Sequence, residues 1–169
     1  IYIDIEDKHN IAVVDAKTLA VTAHYDLEDK GGGCAGLAMD VKHQILFATC
    51  RNPQTMVILN AGDGKIITTL PIGSGTDGAV FNPRTMEAFS SQGDGTLTVV
   101  KEKSPTSFAV EQNLQTMPSA KTLTLDSKTN HILLIAAEFT PPTTPPAPGR
   151  RRGRGQMAPD SFSILVVGK

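Results

Sequence analysis

Tryptophan is absent from these 169 residues, and aromatic side chains make up only 5% of them. Few flat platforms therefore exist on which single-stranded bases could stack. Neither sign of charge is in excess: 16 Lys and Arg against 17 Asp and Glu leave a formal net charge of −1, which argues against a generally basic nucleic-acid-binding surface. No apolar run reaches the roughly 18 residues of a membrane-spanning helix. No long stretch has helical periodicity, and neither a P-loop nor a Gly-x-Ser-x-Gly elbow is present. A signal peptide is also missing. The chain, however, opens at Ile1 inside a strand-like run, without Met, as expected of a segment of a longer protein, so that absence is uninformative about targeting.

What the chain does have is a repeat. Hydrophobic residues at 40% and charged residues at 20% give a globular composition, and 15 Gly with 11 Pro supply many turns. Four strand-like segments align: Ile1-Tyr-Ile-Asp-Ile-Glu-Asp-Lys, Ile45-Leu-Phe-Ala-Thr-Cys-Arg-Asn, Glu87-Ala-Phe-Ser-Ser-Gln-Gly-Asp and His131-Ile-Leu-Leu-Ile-Ala-Ala-Glu. A second apolar run follows each, at 11–15, 56–60, 97–101 and 162–167. In the first three repeats a third run (20–27, 66–72, 108–115) and a fourth (36–40, 78–82, 122–126) complete the unit. The runs are short, rich in Val, Ile, Thr and Phe, and often alternate, which is strand chemistry. Between them stand turn formers such as Asn60-Ala-Gly-Asp-Gly64, Asn82-Pro-Arg-Thr85 and Asp126-Ser-Lys-Thr129.

Four short strands every 40-odd residues is the spacing of a β-propeller blade. The expected fold is therefore all-β: about three and a half four-stranded antiparallel blades, divided as 1–33, 34–75, 76–119 and 120–169. The pattern resembles the YVTN-repeat (YncE-like) family, through Ile1 to Asp15, Ile66-Ile-Thr-Thr-Leu-Pro-Ile-Gly73 and Gly36-Leu-Ala-Met-Asp40. The Tyr-Val-Thr-Asn tetrapeptide itself is absent. The resemblance implies a seven-bladed ring, an innermost Gly-x-Ala-x-Asp strand, and an exported protein, periplasmic or extracellular. It also implies that the first and last blades here are incomplete, their missing strands coming from an N-terminal half of the same protein or from a second copy.

In such an architecture, the loops leading into the innermost strand share one face with the turns between second and third strands. That face should collect Lys30, Arg51, Asp77, Asp94, Lys121 and Glu138, a mixed-charge mouth suited to a protein or a small polar ligand. Asp77 and Asp94 are candidates for a close carboxylate pair there. No pair among the four histidines has an i, i+2 or i, i+4 spacing with a carboxylate partner of the kind that marks a metal centre, so no metal ligand, catalytic residue or cofactor is assigned. Asp40 and Ile45 flank a short turn, and pairing outward from it brings Cys34 close to Cys50. A disulfide between them is expected in an oxidising compartment.

Residues 139–160 break the repeat. Phe-Thr-Pro-Pro-Thr-Thr-Pro-Pro-Ala-Pro-Gly should be an extended polyproline-like chain, and Arg150, Arg151, Arg152 and Arg154 a mobile cationic tip, able to meet polyanions. The function expected from all this is a non-enzymatic binding or scaffold propeller. The alternatives are an enzyme with a cofactor or metal at the channel mouth (hydrolase, lactonase or redox) and, more weakly, single-stranded DNA binding, which the sparse aromatics and acidic balance disfavour.

Overall fold

The repeat is visible at atomic scale in its turns. Asp40 Oδ1 accepts the amide of Lys42 at 2.9 Å, Asn82 Oδ1 that of Arg84 at 3.0 Å, and Asp126 Oδ1 that of Lys128 at 2.9 Å. Each is a side-chain cap that reverses the chain at the end of one strand and aims it back along the next. The computed structural model describes residues 1–140 and 155–168, and every regular element among them is a β-strand.

These strands form four antiparallel sheets. Sheet I holds β1 (Tyr2–Ile5), β2 (Asn10–Val14) and β3 (Val21–Asp26) in sequence order. Sheet II holds β4 (Gly36–Asp40), β5 (Ile45–Arg51), β6 (Gln54–Asn60) and β7 (Ile66–Pro71). Sheet III repeats that arrangement with β8 (Thr76–Asn82), β9 (Glu87–Gln92), β10 (Thr96–Ser104) and β11 (Ser107–Gln115). Sheet IV has β12 (Thr122–Asp126), β13 (His131–Ala136) and β14 (Ser163–Val167). Among the described residues, sheet I therefore lacks a counterpart of β4, and sheet IV a counterpart of β7. Strands β4, β8 and β12 run side by side, so the sheets stand radially with these three innermost.

Because side chains alternate across a strand, each central sheet feeds two cores. Along β5, Leu46, Ala48 and Cys50 enter the core shared with sheet I, whereas Ile45 and Phe47 enter the core shared with sheet III. That is why β5 is buried on both faces and reads as a nearly continuous apolar run, broken only by Thr49 before Arg51, instead of an alternating one. Phe47 stacks on Phe81 at 5.3 Å between ring centres and meets the edge of Phe108 at 5.9 Å. A third core joins sheets III and IV through Phe89, Leu97, Ile132 and Leu134.

Sheet I is fastened to sheet II by Tyr2 and Tyr25, whose hydroxyls both donate to the Ala61 carbonyl at 2.8 and 2.9 Å. Of the insertion after β13, Phe139 pairs with Met157 in an antiparallel bridge. Residues 141–154, including the whole arginine cluster, lie outside the described residues. No helix among the described residues is long and apolar enough to cross a membrane.

Candidate binding face and a buried carboxylate–histidine cluster

One end of the sheets carries the β1–β2, β5–β6 and β9–β10 turns together with the loops leading into β4, β8 and β12. Arg51, the last residue of β5, is the hub of this face. Its Nη1 contacts Glu6 Oε1 from sheet I, its Nε donates to the Thr76 carbonyl at 3.1 Å, and its Nη2 lies 3.9 Å from Asp77 Oδ1. Asp77 in turn accepts from Lys121 Nζ at 3.1 Å and from Thr122 Oγ1 at 3.0 Å. Glu6, Arg51, Asp77 and Lys121 thus alternate in sign across all four sheets.

Beneath this chain of charges lies a buried polar seam. Thr76 Oγ1 is 3.0 Å from both Thr49 Oγ1 and Ser90 Oγ, and Gln92 Nε2 donates to Ser90 Oγ at 2.9 Å. All four residues are fully buried. A seam of this kind, satisfied internally, holds sheets II and III in one relative placement.

Three of the six candidate residues, Arg51, Asp77 and Lys121, are therefore brought together. Lys30 is spent locally on Asp29 at 2.7 Å, a hydrogen bond that raises the lysine's pKa. Asp94 caps its own turn, accepting from Thr96 Oγ1 at 2.7 Å and from the Ser74 amide at 2.5 Å. Asp77 and Asp94 thus take different partners. Glu138 is held through its backbone, which bonds Ala158 and Ser161. Beside Lys121, a small open cleft of about 140 Å³ is walled by Phe139 and Phe162. Cys34 and Cys50 are joined by a disulfide with S–S 2.02 Å.

The opposite end holds a group that the spacing of histidines and carboxylates did not predict. Asp40 ends β4, His43 lies in the turn that follows, and Glu102 comes from β10 in the next sheet. His43 Nδ1 is 2.7 Å from Glu102 Oε1 and 2.7 Å from Asp40 Oδ2. Both carboxylates are buried, at 2% and 3% exposure, while the imidazole keeps one-quarter of its surface in solvent. A single Nδ1 carries at most one proton, so it cannot serve both acids. Glu102 Oε2 and Asp40 Oδ2 make no hydrogen bond. Burial foremost, and then the charge of Asp40, push the Glu102 pKa up, against the pull of His43.

The spacing of the histidines predicts no metal ligand. The structure nevertheless sets Asp40, three residues before His43, and Glu102, 59 residues after it, against one imidazole. A signal was available in the repeat. His43 stands where the other repeats have Thr85 and Thr129. Glu102 stands where sheet II has Ala61, the two positions making equivalent amide bonds to the preceding turn.

No family model and no curated protein matches the chain. Solved structures do. The hydrazine synthase of Kuenenia stuttgartiensis matches with a TM-score of 0.70 at 13% identity, over 80% of this chain and 38% of that one. A chain in the crystal structure of the mitotic checkpoint complex matches with a TM-score of 0.65 at 14% identity, over 76% of this chain and 40% of that one. The chain is β-propeller-like. It spans about two-fifths of the length of these solved chains, and at such identities the likeness concerns the fold alone.

Proposed function

We propose that this chain is part of a seven-bladed, YVTN-like β-propeller that serves as a non-enzymatic binding scaffold, with its partner held on the face that carries Arg51, Asp77 and Lys121. The observation that supports this reading is the alternating Glu6–Arg51–Asp77–Lys121 chain, seated on a fully buried polar seam. Charges already fixed in place lose little freedom when a partner arrives, so a mixed-charge platform of this kind favours specific recognition. The Phe139–Phe162 cleft adds apolar surface beside Lys121, where an anionic or aromatic group of the partner would sit. A disulfide between the only two cysteines is consistent with an exported protein. The titles of the two solved neighbours, one an enzyme and one an assembly, favour neither activity nor scaffolding for this chain.

Affinity purification from the source organism tests the reading. The wild-type chain should retain a defined partner, a Lys121→Glu, Phe162→Ser variant should lose it, and a His24→Gln control on an outer strand should keep it. Equal retention by all three would defeat the assignment of the face.

A further inference from the structure

The Asp40–His43–Glu102 cluster takes no part in the binding face. Elsewhere the same repeat position is held by threonine: Thr129 Oγ1 donates to Asp126 Oδ2 at 2.7 Å and closes the turn on a single carboxylate. In sheet II that threonine is replaced by an imidazole, and in sheet III the small residue at the end of the third strand is replaced by a glutamate. Two departures from the repeat, 59 residues apart, thus converge on one point.

Converging them is costly unless something compensates. Two carboxylates are removed from water together, with no lysine or arginine paired to either among the described residues. Burying like charges without a counter-charge is strongly unfavourable. The one nitrogen that faces them satisfies one acid at a time, and the acids otherwise face each other, with Glu102 Oε2 and Asp40 Oδ2 lacking any other donor among the described residues. One donor atom from each residue falls within 4.8 Å of the others. A cation placed among them would offset both negative charges and take one lone pair from each of the three residues.

We infer that Asp40, His43 and Glu102 bind a divalent transition-metal ion, zinc being the best fit, which ties sheet II to sheet III at the end opposite the binding face. The donor chemistry selects the class. An imidazole with two carboxylates suits zinc and its neighbours in the first transition row, whereas calcium and magnesium prefer all-oxygen surroundings. Zinc ligands at about 2.0–2.2 Å stand roughly 3.3 Å apart in a tetrahedron. The present 2.7 Å spacings therefore need to open by only about half an ångström, a small side-chain rotation. The exposed quarter of His43 leaves a path from solvent for the ion and for a water as fourth ligand.

Calorimetric titration of the EDTA-treated, dialysed chain with zinc chloride is the test, with thermal unfolding followed in parallel. Expected are one saturable site per chain, little response to magnesium or calcium chloride, and a higher unfolding midpoint with zinc. Glu102→Gln should weaken zinc binding by roughly tenfold or more and abolish the midpoint shift. Without metal it should unfold no earlier than wild type, because it removes one of the two crowded charges. His43→Gln, in an exposed turn, provides a second variant should the first fail to fold, and His24→Gln should bind like wild type. Absence of a zinc-induced shift in the wild-type chain overturns the inference, as does zinc binding that Glu102→Gln or His43→Gln leaves unchanged.

Discussion

Asp4 sits on the same face of β1 as Tyr2, turned toward sheet II, and both of its carboxylate oxygens are buried without a partner. Burial foremost, and then the charge of Glu6, raise its pKa from 3.8 to about 7. The folded chain therefore holds this proton over a range in which the unfolded chain has released it. Stability from Asp4 is fully present below about pH 4, declines as pH rises, and is gone above about pH 7. Asp4→Asn should remove that slope. At pH 8 the variant should be more stable by on the order of 1–2 kcal/mol, a figure discounted for partial solvent access, and at pH 4 nearly equal. Urea unfolding at the two pH values measures this; parallel loss of stability in both proteins would contradict it. At the same scale, the Cys34–Cys50 bond closes a loop of sequence separation 16 inside a tight core. Replacing both cysteines by alanine should cost about 3 kcal/mol by the loop-entropy relation. Alkylation of the unreduced, unfolded chain should label neither residue; labelling of both would show free thiols.

Among the elements, the innermost strands are the most tightly constrained. A Cβ added at Gly36 would fall 2.7 Å from the Ala79 amide nitrogen and 2.7 Å from the Gly78 carbonyl carbon, both backbone atoms of β8. Glycine is what lets β4 and β8 approach that closely. At Gly78 the near contact is Leu123 Cδ2 at 2.5 Å, the flexible tip of a side chain that can swing away. Gly36→Ala should therefore destabilise by about 2–3 kcal/mol, whereas Gly78→Ala should cost less than about 1 kcal/mol. Chemical denaturation of the pair decides it, and equal costs would mean that β4 and β8 can separate without penalty. This glycine also shows why the Gly-x-Ala-x-Asp strand is innermost: its small residues face the next sheet at closest approach, and its terminal acid turns the chain outward.

The whole molecule has two unfinished flanks. On sheet IV, Ile135, Ile164 and Val166 are 45%, 60% and 61% exposed, while their alternating neighbours Leu134, Leu165 and Val167 pack inward. On sheet I, Ile1 and Ile3 are similarly bare. These side chains have the alternation that feeds a core on both sides of the central sheets, but among the described residues nothing covers them. Sheets I and IV are also the two with three strands instead of four among the described residues. Under the propeller proposal, further blades of the same protein cover both flanks. The 169-residue chain studied alone should then self-associate in light scattering, driven by apolar faces and open strand edges. Ile164→Lys with Val166→Lys should reduce that association. A stable monomer of the unmodified chain would count against missing blades.

Much of this was legible in the sequence because it is local. Strand runs, turn formers and a spacing of 42–44 residues depend on near neighbours along the chain, and they suffice for an all-β chain of antiparallel hairpins in sequence order. The nearness of Cys34 and Cys50 has the same origin, since both flank one hairpin whose register follows from its short turn. The side chains that meet between sheets are another matter. Arg51 reaches Glu6 across 45 residues and Lys121 reaches Asp77 across 44, yet on the same face Lys30 turns to adjacent Asp29, and Asp94 to Thr96 and the Ser74 amide. His43 finds Glu102 across 59. The sequence by itself determined the strands, their order and the face on which each loop emerges. Only the tertiary structure decided which charges share a space, because the rotation of one sheet against the next is set by how the cores between them fill, and no local periodicity carries that angle.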